Sequence, residues 1–182
     1  RRATHKNTSW DRARFEVCAH KWADIAEEGY GLSVLNDCKY GYSVDENSIA
    51  LTMLKSSAYP NPHGDQEHHT FTYSILPHEG TWREGGTVEQ AYQLNIPVRV
   101  FAAGNGQAEL ACAARVDQPG VLVEAFKRAE DGKHTAIRLY ECFGRRRKGV
   151  RLEANCEKAV ECNAIERVLG DAVVDNGAIV FD

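Results

Sequence analysis

The chain has 182 residues, enough for one sizeable hydrophobic core or two small ones. Apolar residues make up 43% and charged residues 26%, a balance that excludes a disordered chain. A formal charge of −4 gives no electrostatic reason to expect nucleic acid, and no apolar run approaches the roughly 18 residues of a membrane span.

Strand patterns dominate in chain order. RFEVCAH (14–20) alternates Phe15, Val17 and Ala19 against Arg14, Glu16 and Cys18. YGLSVLN (30–36) follows a Glu-Glu-Gly turn signal, and SIALTMLKS (48–56) follows the turn composition Asp45-Glu46-Asn47. HTFTYSILP (69–77) sets Phe71, Tyr73 and Ile75 against Thr70, Thr72 and Ser74. Such period-two alternation places one set of side chains on each face of a half-buried strand. TVEQAYQLN (87–95) breaks the rhythm: Val88, Ala91, Tyr92 and Leu94 share a helical face, Thr87 suits the N-cap, and Pro97 stops the helix. Strands are then expected at 97–103, 109–116, 120–129, 134–143, 149–156, 158–166 and 177–181, with turns at Gly104-Asn105-Gly106, Asp131-Gly132 and Asn176-Gly177. About ten short strands with one short helix and no βαβ rhythm predict an all-β, antiparallel β-sandwich, two sheets of one domain spanning 1–182.

Four groups of residues carry potential chemistry. The loop PNPHGDQEHH (60–69) holds His63, Asp65, Glu67, His68 and His69, a metal-ligand vocabulary. If His69 begins a strand, however, His68 and His69 point to opposite faces, and a polar surface loop explains the composition without an ion. Six cysteines at 18, 38, 112, 142, 156 and 162 include no CxxC pair. Cys18, Cys112, Cys142 and Cys156 lie in apolar segments, so reduced thiols acting as small hydrophobes are expected, without disulfides or structural zinc. Cys38 stands between Asp37 and Lys39, and a neighbouring Lys can lower a thiol pKa, although neighbours in an extended chain diverge. Trp10 and Asp11, with Tyr40, Tyr42 and Tyr59, form a sugar-site vocabulary; equally, Trp10 and Trp22 could anchor the core. The basic run Arg145-Arg146-Arg147-Lys148, bracketed by Gly144 and Gly149, reads as a solvated hairpin tip in preference to a phosphate site.

Longer ordered stretches carry a resemblance: NTSWD (7–11), RFEV (14–17), HKWAD (20–24), GYG (29–31), LNDCKYG (35–41), HTFTYSILPH (69–78) and AYQLN (91–95). Weaker but in order are LVEAFKRAEDG (122–132) and AIRLYECFG (136–144). Together these resemble the C-terminal region of family 38 glycoside hydrolases, the α-mannosidases, in their cytosolic and bacterial branch. The resemblance implies a galactose-mutarotase-like supersandwich, mannoside substrates and a cytoplasmic location. It also implies a retaining exo-α-mannosidase whose nucleophile and zinc ligands lie in an N-terminal α/β barrel and the segment following it, outside this chain. A retaining mechanism needs two carboxyl groups about 5 Å apart, and no residue pair here is identified with that role. No catalytic residue and no metal ligand is therefore expected in these residues, the barrel is the expected partner, and the fragment alone is expected to be inactive.

The same resemblance gives the polar run 36–40 a role at the rim of a sugar pocket. Asp37, Lys39 and Tyr40, with Tyr59 and Asn61 of the SAYPNP loop (57–62), are the expected substrate-binding residues. The bland alternative has Asp37 capping a turn while Lys39 pairs with a carboxylate. The Arg-Arg start, the single internal methionine Met53 and the stop at Asp182 are what a piece of a longer protein would show. A missing last strand would leave an unpaired sheet edge where a second copy is expected to associate. The rival function is a stand-alone carbohydrate-binding module.

Overall fold

The computed structural model describes residues 5–100 and 112–182. The chain divides into two compact units, Arg1–Phe101 and Ala102–Asp182. Among the described residues nearly all regular structure is antiparallel β, with two short helices in place of the single one expected. No helix among the described residues is long and apolar enough to cross a membrane.

In the first unit, α1 (Ser9–Ala13) is the unanticipated helix. A capping box starts it: Thr8 Oγ1 accepts from the Asp11 N–H at 3.1 Å, and Asp11 Oδ2 accepts from the Thr8 N–H at 3.1 Å. Trp10 rides on this helix 76% exposed, so it does not anchor a core. Trp22 instead packs its ring 4.9 Å from that of Trp82.

Two three-stranded sheets follow. β1 (Val17–Cys18), β4 (Gly41–Asp45) and β5 (Ser48–Leu51) run in the order β1-β4-β5. β2 (Trp22–Glu27), β3 (Tyr30–Asn36) and β6 (Tyr73–Glu79) run in the order β2-β3-β6. Period two is plain in β3, where Gly31, Ser33 and Leu35 are buried between the half-exposed Leu32 and Val34. The buried side faces α2 (Thr87–Asn95), which contributes Thr87, Val88 and Ala91 to the core. The N-cap is Gly86, with φ of +66°, rather than Thr87, which is spent inside the fold. Residues 97–100 form no strand, and Val98 and Val100 are each 90% exposed; no strand among the described residues pairs with them. The rest of that expected strand, residues 109–111 of the next and the turn at 104–106 lie outside the described residues.

The second unit contains the hairpin of β8 (Val121–Arg128) and β9 (Thr135–Glu141), with a bulge between Val123 and Ala125. β7 (Arg115–Val116), β10 (Val150–Glu153), β13 (Val173–Asp175) and β14 (Ala178–Phe181) form a sheet in the order β13-β14-β10-β7. β11 (Val160–Cys162) pairs with β12 (Val168–Asp171). Val121, Phe143, Val150, Leu152 and Ala178 are buried in this unit. The Asn176-Gly177 turn joins β13 to β14 with φ of +50° and +78°, the left-handed pair that a two-residue hairpin with right-twisted strands requires. The run Arg145–Lys148 is not a hairpin tip: β9 pairs with β8 while β10 pairs with β14 and β7, so the basic run links two sheets.

The β8–β9 turn is held by one carboxylate. Asp131 Oδ1 accepts from the N–H groups of Lys133 at 2.8 Å and His134 at 3.1 Å, and Oδ2 meets His134 Nδ1. The Lys133 N–H, then the His134 ring and N–H, bring the Asp131 pKa down from 3.8 to about 2. A depressed carboxylate stabilises the fold above its ordinary value and loses that contribution as the pH falls through the folded value. In an NMR titration the Lys133 and His134 amide shifts should therefore move with a midpoint near about 2, not 3.8, and Asp131→Asn should abolish the transition.

Candidate functional site

The turn after β3 is organised by a buried side chain. Asn36, 1% exposed, accepts the Lys39 N–H on Oδ1 at 2.6 Å and donates through Nδ2 to the Tyr42 hydroxyl. Its carbonyl accepts from Asn95 Nδ2 at 3.0 Å, which ties the end of α2 to the end of β3. Tyr42 is fully buried, and that burial pushes its phenol up against the opposing Asn36 bond.

This frame fixes the expected binding residues. Asp37 exchanges two bonds with Thr72: its N–H donates to the Thr72 carbonyl at 3.2 Å, and Oδ1 accepts the Thr72 N–H at 3.0 Å. The Cys38 thiol, then the Thr72 N–H, hold the Asp37 carboxyl below its usual range. The same bond pushes the Cys38 thiol up, with Lys39 only partly opposing it, the reverse of what an activated nucleophile needs. Lys39 Nζ sits 4.9 Å from the centroid of the Phe71 ring rather than against a carboxylate. Tyr40, half exposed, tilts against His20 with centroids 4.9 Å apart.

Tyr59 and Asn61 belong to a separate loop. Tyr59 precedes a cis peptide bond to Pro60 and is 85% exposed. Asn61 turns the loop by accepting the His63 N–H on Oδ1 at 3.0 Å. Among the described residues no hydrogen bond, ion pair or ring contact joins Tyr59 or Asn61 to Asp37, Lys39 or Tyr40. In the His-rich loop, His69 Nε2 lies 3.1 Å from the Asp65 carbonyl oxygen. No group of three or more His, Cys, Asp or Glu able to hold a metal ion occurs among the described residues, so their donor set does not fit the zinc of the resemblance. The six cysteines are unbridged, but Cys18 and Cys112 are exposed, contrary to the expected buried role.

A second polar cluster escaped sequence reasoning. Asp24 of β2, Ser33 of β3, His78 of β6 and Thr87 of α2 meet beneath the helix. Ser33 Oγ donates to Asp24 Oδ1 at 2.7 Å, and His78 Nε2 approaches the same oxygen at 2.8 Å. Since the Ser33 proton is committed, Thr87 Oγ1 donates to Ser33 Oγ at 2.7 Å. The His78 ring lies over Gly31, where a Cβ would come within 2.3 Å of it, and against Gly85, where a Cβ would come within 2.5 Å. A Ser, a His and an Asp suggest a hydrolytic triad, but Ser33 bonds the carboxylate and not the imidazole. All three are buried, so the cluster positions α2 on its sheet. A signal was present in HKWAD and SILPH: an acid and an imidazole inside otherwise apolar strands.

The comparisons follow this division of the chain. The model of the glycosyl hydrolases family 38 C-terminal domain matches residues 1–63, and that of the family 38 C-terminal beta sandwich domain matches residues 120–181. The chain belongs to glycosyl hydrolase family 38, as its C-terminal region. This family 38 chain is 39% identical over 171 residues to human Alpha-mannosidase 2C1, covering 91% of the chain and 16% of the relative. It is 38% identical over 178 residues to Alpha-mannosidase G of Dictyostelium discoideum, covering 92% and 16%. It thus spans about a sixth of the length of these relatives. A crystal structure of a family 38 protein from Enterococcus faecalis has the same fold, with a TM-score of 0.65 at 16% identity over 92% of this chain and 22% of that one. The first family 38 match contains both the Asn36–Tyr42 turn and the Tyr59–Asn61 loop.

Proposed function

We propose that the chain is the C-terminal β region of a retaining, cytoplasmic exo-α-mannosidase that releases terminal α-mannosides. The observation that carries this reading is identity near 40% to α-mannosidases over nine-tenths of the chain. On this reading a preceding barrel holds the nucleophile, the acid and the zinc. The present residues brace that barrel and edge its pocket, and the isolated fragment has no turnover.

Asp37, Lys39, Tyr40, Tyr59 and Asn61 form the sugar-facing edge. Exposed tyrosine rings suit the C–H faces of a pyranose, and short carboxylate and amide groups suit its hydroxyls. Tyr59 supports the reading best, because 85% of it is exposed and its ring has no partner among the described residues. In the intact enzyme, Tyr59→Ala should lower kcat/KM on a 4-nitrophenyl α-mannoside about tenfold, equivalent to ~1.4 kcal/mol, with the melting temperature unchanged. Asp37→Ala should lower it as well, with some loss of stability from the released Thr72 segment. Wild-type kcat/KM in both variants would remove these residues from the pocket.

A further inference from the structure

The basic run assigned to solvent by composition borders a cavity in the second unit. The cavity measures about 310 Å³, and its apolar wall includes Leu139, Tyr140 and Phe181. Arg145, Arg146 and Arg147 also line it. Two acids, Glu141 and Asp182, also reach it, and both are engaged. Glu141 Oε2 accepts the Arg145 N–H at 2.9 Å, Glu141 Oε1 pairs with Arg147, and Asp182 Oδ1 accepts the Gly149 N–H at 2.8 Å.

Of the three arginines, Arg147 is committed to an acid. Arg147 Nε holds Glu141 Oε1 at 3.2 Å. Arg147 Nη2 lies 3.1 Å from the same oxygen and is buried, so this guanidinium is committed to Glu141. No hydrogen bond or ion pair of the Arg145 or Arg146 side chains occurs among the described residues, although the Arg145 main chain is held. Guanidinium forks favour multidentate oxyanions, and phosphate offers three acceptor oxygens and close to two negative charges.

From this geometry we infer that the cavity binds a small organic phosphate, its phosphate on Arg145 and Arg146 and its ring against Tyr140 and Phe181. The volume lies at the low end of the roughly 300–1,000 Å³ of ligand pockets, which suits a monosaccharide phosphate and excludes an oligosaccharide. The site is separate from the mannoside edge and does not depend on the glycosidase reading.

Isothermal titration of the 182-residue chain at fixed ionic strength tests it, with glucose 6-phosphate, inorganic phosphate and glucose as probes. Glucose 6-phosphate should saturate, inorganic phosphate should bind more weakly, and glucose should give no heat. Arg145→Ala/Arg146→Ala replaces two exposed side chains and should weaken glucose 6-phosphate about tenfold or more, with the circular dichroism and melting temperature unchanged. Absence of saturable binding, equal affinity for inorganic phosphate, or binding that survives the double substitution would each overturn the assignment.

Discussion

Asp24→Ala should destabilise the chain by about 3–5 kcal/mol, a large part of the ~5–15 kcal/mol available to a domain. The substitution removes one carboxylate but strands two donors. Ser33 Oγ and His78 Nε2 both rely on Asp24 Oδ1, and the Asp24 and His78 side chains are only 6% and 3% exposed. Each buried donor left without an acceptor costs about 1–3 kcal/mol, and Thr87, bonded through Ser33, loses its anchor as well. Asp24→Asn retains an acceptor oxygen and should cost only about 1–2 kcal/mol, the charge-assisted part of these bonds. The double variant Asp24→Ala/His78→Phe removes a stranded donor along with its acceptor, so it should cost less than the sum of its single variants. The coupling expected for groups in one network is ~0.5–3 kcal/mol. Urea denaturation of the five proteins measures every term, and strict additivity would mean that the cluster is not one network.

The same cluster shows where sequence reasoning reached and where it stopped. β3 and α2 were legible to the residue, because Leu32 and Val34 alternate cleanly with Ser33 and Leu35, and because Pro97 ends a helix whose apolar face has the right spacing. β2 was not, since Asp24 interrupts an apolar strand with a charge whose justification lies 54 residues away in His78. Val98 and Val100 failed in the opposite sense: alternation is a property of the segment, whereas a strand also needs a partner's N–H and C=O groups. β12 and β13 are short, and their exposed positions gave no burial signal to detect. For the candidate edge, the motifs were enough to reach the family, while the roles of Asp37 and Lys39 stayed open. Asp and Asn bind sugar hydroxyls and cap turns with the same atoms, and only the fold shows that Asp37 spends one oxygen on Thr72 and Lys39 lies over Phe71.

That turn depends on the residue before it, which composition passed over. Asn36→Ala should cost about 2–4 kcal/mol, because it strands the Lys39 N–H and the Tyr42 hydroxyl in a site that is 1% exposed. Tyr42→Phe removes only the hydroxyl, leaves Asn36 Oδ1 on Lys39, and should cost about 1–2 kcal/mol. The two substitutions act on the turn differently. Without Asn36 Oδ1 nothing holds the Lys39 N–H, and the segment from Asp37 to Tyr40 gains conformations that its bonds to Thr72 alone cannot suppress. Amide exchange at Lys39 and Thr72 should therefore accelerate strongly in Asn36→Ala and little in Tyr42→Phe, even when both are compared at equal global stability. In the intact enzyme the same pair separates a structural turn from a pocket edge. If Asp37 and Tyr40 touch the sugar, Asn36→Ala should raise KM several-fold under conditions where the protein remains folded, while Tyr42→Phe leaves KM near wild type. A KM unmoved by a turn shown to be loosened would mean that the turn serves the fold alone.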